Sequence, residues 1–161
     1  MDKRVVFQGR YEVTGIDISP GMIALAQRRD CGARFLILDY EVGPIPGEFD
    51  AAVIYDALHH AEIEYPVIKN VYDALVPGCV LITIEPGRGH STSADSLDAV
   101  AKYGTTEKDM PYSIQKKHME RAGFTNIKQY PRAVARGTFV GHLLSPLRLA
   151  PGSSSVVIAV E

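Results

Sequence analysis

The chain has 161 residues, 46% of them hydrophobic, which is enough for one domain with a filled core. Its 17 basic and 19 acidic side chains leave a formal net charge of −2, and that balance excludes the basic footprint of a nucleic-acid binder. No apolar run reaches the roughly 18 residues of a membrane span, and the opening MDKRVVFQ lacks a signal-peptide core, so a cytoplasmic protein with no membrane partner is expected. The two cysteines, Cys31 and Cys79, follow no metal-ligand spacing; reduced thiols and no metal site are expected.

Apolar runs of strand length alternate with helical patterns, which predicts a parallel sheet covered by helices. Residues 3–7 are apolar enough for a short strand that Gly9-Arg10 turns into the next one, at 11–16. That strand ends in Asp17. Ser19 suits an N-cap and Pro20 a first helical position, so a helix starts there and carries Met22, Ile23, Leu25 and Ala26 on one face of 21–29. Its last turn is basic, and Gly32 closes it. Residues 34–39 form the second strand of this pattern, ending in Asp39; Phe49–Tyr55 forms the third and runs into Asp56, His59 and His60.

Pro66 opens a helix with Val67, Ile68, Val71, Tyr72 and Leu75 as its buried stripe, and Pro77-Gly78 stops it. Residues 79–85 are the most hydrophobic strand and end in Glu85. A short helix follows at 94–103. Ser113 caps a further helix that Gly123 closes, 124–130 is a strand, 131–154 is an irregular late insertion, and Ser155–Val160 is the last strand. The whole of 1–161 reads as a single domain.

Open α/β sheets bind ligands at the carboxyl ends of their strands. Four successive strand ends here carry Asp17, Asp39, Tyr55-Asp56 and Glu85. One such acid is commonplace as a turn or cap residue; four in order are harder to explain that way. Glu85 itself stays open between contacting a bound molecule and capping its loop. His90 is an exposed loop residue or a pocket-lining one, and His118 lies mid-helix with a structural or exposed role.

The order of these segments resembles the class I S-adenosylmethionine-dependent methyltransferases, small-molecule group. YEVTGIDISPGMIALAQ is similar to that family's second strand and helix, FDAAVIYDALHHAEIEYPVIKNVYDALVPGCVLITIEP to its fourth strand through its fifth, and HMERAGFTNIKQY to its late helix and sixth strand. The resemblance implies a Rossmann-like three-layer α/β sandwich, mostly parallel with an antiparallel C-terminal strand. It implies S-adenosyl-L-methionine as cofactor and a small-molecule methyl acceptor. It assigns Asp17 to the ribose hydroxyls, Ile18 and Met22 to the adenine face, and Asp39 to the adenine amino group, with Tyr40 as a second wall. Tyr55 and Asp56 fall where donor and acceptor meet, and His59 and His60 are the candidate catalytic bases, with packing or capping as their alternative role.

One part of the pattern is missing. The family's first strand and glycine-rich loop precede the Asp17 strand, and only sixteen residues stand there, with Gly9 and Gly15 as their only glycines. Relative to the family the chain reads as N-terminally truncated, with a gap in the middle of the sheet and compromised cofactor binding. Three accounts compete: a fragment of a full binder, a remodelled sheet, or a homodimer whose second copy completes the sheet. The rival to an enzyme is a catalytically inactive methyltransferase-like interaction or regulatory module. A nicotinamide-dependent oxidoreductase is a weaker rival, since it needs the same glycine loop.

Overall fold

A computed structural model describes residues 11–29, 31–131 and 155–161. The strand expected at 3–7 and nearly all of the late insertion at 131–154 lie outside the described residues. Among the described residues, six strands and four helices follow in the order β1 (Thr14–Asp17), α1 (Pro20–Gln27), β2 (Arg34–Ile37), β3 (Phe49–Tyr55), α2 (Glu64–Ala74), β4 (Leu75–Glu85), α3 (Ala94–Tyr103), α4 (Tyr112–Ala122), β5 (Thr125–Pro131) and β6 (Ser155–Val160). A single 3-10 turn, Leu58–His60, interrupts the step from β3 to α2. No helix among the described residues is long and apolar enough to cross a membrane.

Local chemistry explains most boundaries. Ser19 is extended, its Oγ accepts from the Met22 N–H at 3.3 Å, and Pro20 occupies the first turn, where a missing N–H costs nothing. The helix ends at Gln27, so Arg28 and Arg29 follow it instead of forming the expected basic last turn. α2 begins two residues before Pro66, because a proline in the first turn leaves no intrahelical bond unmade. Its stripe is Val67, Ile68, Val71 and Ala74, with Tyr72 only half-buried.

Pro77-Gly78 does not end the helix. α2 stops at Ala74, and β4 starts at once and runs through the pair. Its register against β3 shifts from Phe49↔Leu75 to Ala51↔Val80, and Gly78, with φ +85°, supplies the left-handed residue that such an irregularity needs. α4 is flanked by Pro111 instead of the expected Ser113 cap.

The strands form two sheets, β1-β2 and β3-β4-β6-β5. β1 and β2 pair in parallel, as do β3 and β4, while β6 runs antiparallel to both of its neighbours. This is the expected Rossmann-like α/β arrangement with a reversed C-terminal strand. Among the described residues no strand joins β1 to β3, which leaves a gap between the two described sheets. Apolar side chains beside it stay exposed, Val53 at 62% and Tyr55 at 56%.

The core lies elsewhere, between α2, α4 and the four-stranded sheet, where Leu58, Ile68, Leu81, Met119 and Val157 are fully buried. One buried polar pair is satisfied within it: Thr83 Oγ1 lies 2.5 Å from Gln115 Oε1, and Gln115 Nε2 donates to the Met110 carbonyl at 2.7 Å. His118 on α4 is partly buried, and burial holds its pKa below the ordinary 6.5; Glu64 opposes that shift, while Lys117, Arg121 and Lys108 reinforce it. The folded state therefore binds this proton more weakly than the unfolded chain, so stability present above pH 6.5 is lost as pH falls below it. Replacing His118 by Gln should flatten that acid-side loss, read as urea midpoints across the range.

α4 ends at Gly123, where φ is +121° and an added Cβ would lie 2.7 Å from Tyr72 Cζ. Gly123→Ala should therefore destabilise the fold by about 1–3 kcal/mol in urea unfolding. Unchanged stability would show that the helix end can move away from Tyr72.

Candidate active site

The site begins with a buried carboxylate. Glu85, the last residue of β4, is fully buried. Its Oε1 accepts from the backbone N–H groups of Ala57 at 3.1 Å and Leu58 at 2.9 Å. Its Oε2 accepts from the His59 N–H at 3.3 Å and lies 2.7 Å from His59 Nδ1. The first N–H groups of a helical turn have no internal partner, and no side chain of the 57–60 segment caps this one. Glu85 supplies that cap from 28 residues away, so what it caps is this distant turn and not the loop that follows it. The strand exit just before it is tight: Asp56 has φ +44°, and its N–H donates to the Ile84 carbonyl at 2.8 Å.

Asp17 and Asp39 sit in matching turns. Asp17 Oδ1 accepts from the Ser19 N–H at 2.7 Å, and Asp39 Oδ1 from the Glu41 N–H at 2.9 Å. Asp17 closes β1, whereas β2 ends at Ile37 and leaves Asp39 two residues beyond. Both acids are half-buried. Ile18 and Met22 are exposed beside Asp17, and an open depression of about 230 Å³ there is lined by Gly15, Asp17, Met22, Arg29 and Phe35 among others.

Tyr40 links the strand ends. It packs half-buried on the core, and its carbonyl accepts from Asn70 Nδ2 at 2.8 Å. Burial raises its hydroxyl pKa, and the negative charges of Asp17, Glu41, Glu85 and Asp39 raise it further. Acids of three strand ends thus act on one phenol. Tyr55 ends β3 exposed, with its backbone in register with Ile84.

His59 is 4% exposed, whereas His60 is at the surface, with its Nδ1 2.7 Å from the Thr106 carbonyl. Their rings lie 4.0 Å apart, and His90 approaches His59 edge-on at 4.9 Å. Glu107 draws all three together: its carboxylate is 3.7 Å from His59 Nε2, 3.6 Å from His60 Nδ1 and 2.8 Å from His90 Nε2. His90 is thus half-buried in the cluster instead of exposed in its loop. Asp109 shapes that loop; N–H bonds from Ser91 and Gly89, each 2.9 Å, hold its carboxyl below the usual range.

Glu107 escaped the sequence reading. It lies between α3 and α4 with no periodic pattern around it, and the nearest signal was the histidine pair 47 residues earlier. Cys31 and Cys79 are free thiols.

The family model of the methyltransferase domain matches residues 2–78, just under half of the chain. No curated protein matches the sequence. Among solved structures, an S-adenosylmethionine-dependent methyltransferase from Mesorhizobium loti aligns with TM-score 0.70 at 20% identity, over 93% of this chain and 80% of that one. Phosphoethanolamine N-methyltransferase 2 of Haemonchus contortus, in complex with S-adenosyl-L-methionine, aligns at 0.64 and 16% identity, over 93% of this chain. The present chain spans 43% of that protein's length. A chain from the complex between the Haloferax volcanii Trm112 methyltransferase activator and a methyltransferase aligns at 0.65 and 14% identity, over 92% and 71%. The family match and the shared architecture together give the chain the fold of the S-adenosylmethionine-dependent methyltransferases.

Glu85→Gln keeps the side-chain size but sets an amide donor against N–H groups that need an acceptor. The variant should lose about 1.5–3 kcal/mol of stability in urea unfolding. Wild-type stability would show that the 57–60 turn does not depend on the carboxylate.

Proposed function

We propose that this chain acts in methyl transfer from S-adenosylmethionine to a small-molecule acceptor, at the strand ends that converge on Tyr40. The observation that carries this reading is the geometry of the strand ends, where Asp17 and Asp39 are held in matching turns, Ile18 and Met22 lie exposed beside Asp17, and Glu85 fixes the turn that bears the histidines. The residues fit the cofactor's chemistry. Asp17 and Asp39 are half-buried acids at neighbouring strand ends, and Ile18 and Met22 are apolar and exposed beside Asp17. Asp17 would hold the ribose hydroxyls and Asp39 the adenine amino group; Ile18 and Met22 would cover one adenine face, with Tyr40 as the second wall.

When bound, S-adenosylmethionine supplies a methyl group already activated on sulfur. The chain's own residues then have to align the acceptor and exclude water. Tyr55 and Asp56 border the meeting point of donor and acceptor. His59, fixed by Glu85, forms the buried wall of the acceptor side, and His60 at its exposed edge offers the nitrogen that takes the acceptor's proton.

A second reading is favoured by the edges of β1 and β3, which pair with no further strand among the described residues, and by the exposed Val53 beside the gap. In it the chain is a binding module without methyl transfer, or a homodimer in which a second copy completes the sheet. The complex containing the Trm112 activator is a precedent for partnership within this fold.

Isothermal calorimetry separates the two readings. Micromolar binding of S-adenosylmethionine, weakened at least about tenfold by Asp17→Ala, is expected for the enzyme. No heat at millimolar ligand would leave the interaction module. Light scattering on the eluted protein should then report a dimer, and a clean monomer would end the sheet-completion account.

A further inference from the structure

The cluster beneath the 57–60 turn has more nitrogen and oxygen donors than methyl transfer needs. His59, His60 and Glu107 each present one donor atom, and these atoms all lie within 4.8 Å of one another. Two of the side chains are nearly shut off from water, at 5% exposure for His59 and 7% for Glu107, while that of His60 is 39% exposed. The site is thus walled on one side and open on the other.

The donors are also held in place. His59 Nδ1 is tied to the buried Glu85 carboxylate at 2.7 Å, leaving Nε2 as the lone-pair nitrogen, 3.7 Å from Glu107 Oε2. A carboxylate behind an imidazole is the usual outer-shell partner of a metal-binding histidine, fixing both tautomer and ring direction. His60 faces the cluster with Nδ1, 3.6 Å from Glu107 Oε1; that nitrogen also lies 2.7 Å from the Thr106 carbonyl, a hydrogen bond that an ion bound at Nδ1 would replace. Bonds of about 2.0–2.2 Å to nitrogen and oxygen put neighbouring tetrahedral ligands roughly 3.3–3.5 Å apart. The His59–Glu107 separation needs only a small closure to meet that spacing. His90, 2.8 Å from Glu107, stands at the edge as a further imidazole.

We propose that His59, His60 and Glu107 form a binding site for a divalent transition-metal ion, with His90 as an additional donor. Two or three imidazoles and one carboxylate suit Zn²⁺, Co²⁺ or Ni²⁺ better than Mg²⁺ or Ca²⁺, which prefer sets built wholly from oxygen. The site lies at the carboxyl end of β4, on the acceptor side. With the ion loaded, His60 is a ligand instead of a base, and an acceptor oxygen or nitrogen reaches the ion through the open side.

The test needs neither cofactor nor acceptor, so its failure leaves the methyl-transfer reading standing. Metal-free full-length chain, with Cys31→Ser to remove the exposed thiol, is titrated with Co²⁺ and followed by its visible d–d absorption. Zn²⁺ affinity is then measured by competition with a chromophoric chelator. The expected result is one ion per chain at micromolar affinity or tighter, weakened at least about tenfold by Glu107→Gln and by His60→Ala. His60 is exposed, so His60→Ala carries the test if the buried Glu107 variant fails to fold, as judged by circular dichroism. Saturable binding that ignores both substitutions would overturn the site, as would the absence of saturable binding or binding that vanishes with Cys31→Ser.

Discussion

A single buried carboxylate organises the chemistry-bearing end of this protein. Glu85 has four hydrogen-bonding partners, three backbone N–H groups and one imidazole, and none of them is on its own strand. A charge taken fully out of water is tolerable only when its oxygens are satisfied to this degree. In return the 57–60 turn, which has no local cap, acquires a fixed position over the sheet, and His59 acquires a fixed ring direction. Everything built on that turn inherits its placement. Lys108 N–H donates to the His59 carbonyl at 3.2 Å, and Lys108 Nζ reaches the Glu62 carbonyl and the Glu64 carboxylate, so the Glu107 segment is anchored against the same turn.

The second organising fact is the division of the sheet. The hydrophobic core belongs to the four-stranded half with α2 and α4, and that half carries Glu85 and the histidines. The half that carries Asp17 and Asp39 is β1, β2 and α1, with Ile23 as the buried residue of that helix. The proposed cofactor contacts thus fall on both sides of the gap between β1 and β3. Tyr40 connects them: it packs against the large core while feeling the charge of Asp17. A ligand gripping Asp17 on one side and the 55–60 segment on the other would stabilise the whole by binding only its assembled form.

Much of this was legible in the sequence because local chemistry decides it. Ser19-Pro20 starts a helix where expected, and Ala94–Tyr103, Phe49–Tyr55 and Ser155–Val160 are a helix and two strands with the expected bounds. Failures occurred where tertiary contacts override local signals. Pro77-Gly78 reads as a helix stop, yet the strand pairing with β3 absorbs it as an irregularity. The strand ends could be recognised as a set from their acids, but their different roles could not. Asp17 and Asp39 look outward and bond their own turns, while Glu85 turns inward to cap a distant one. Nothing in sequence spacing separates these fates. Glu107 was invisible for the same reason: its partners are 17 to 48 residues away, brought close only by the fold.

The central claim is that one ligand surface runs from the Asp17 turn through Tyr40 to the turn that Glu85 caps. Backbone amide shifts recorded by NMR during titration with S-adenosylhomocysteine test it directly. The account predicts that the amides of Asp17, Ile18, Asp39, Tyr40, Asp56 and His59 move together with one saturation curve, while those of α4 stay still. Shifts confined to either side of the gap, or absent from all six, would contradict it.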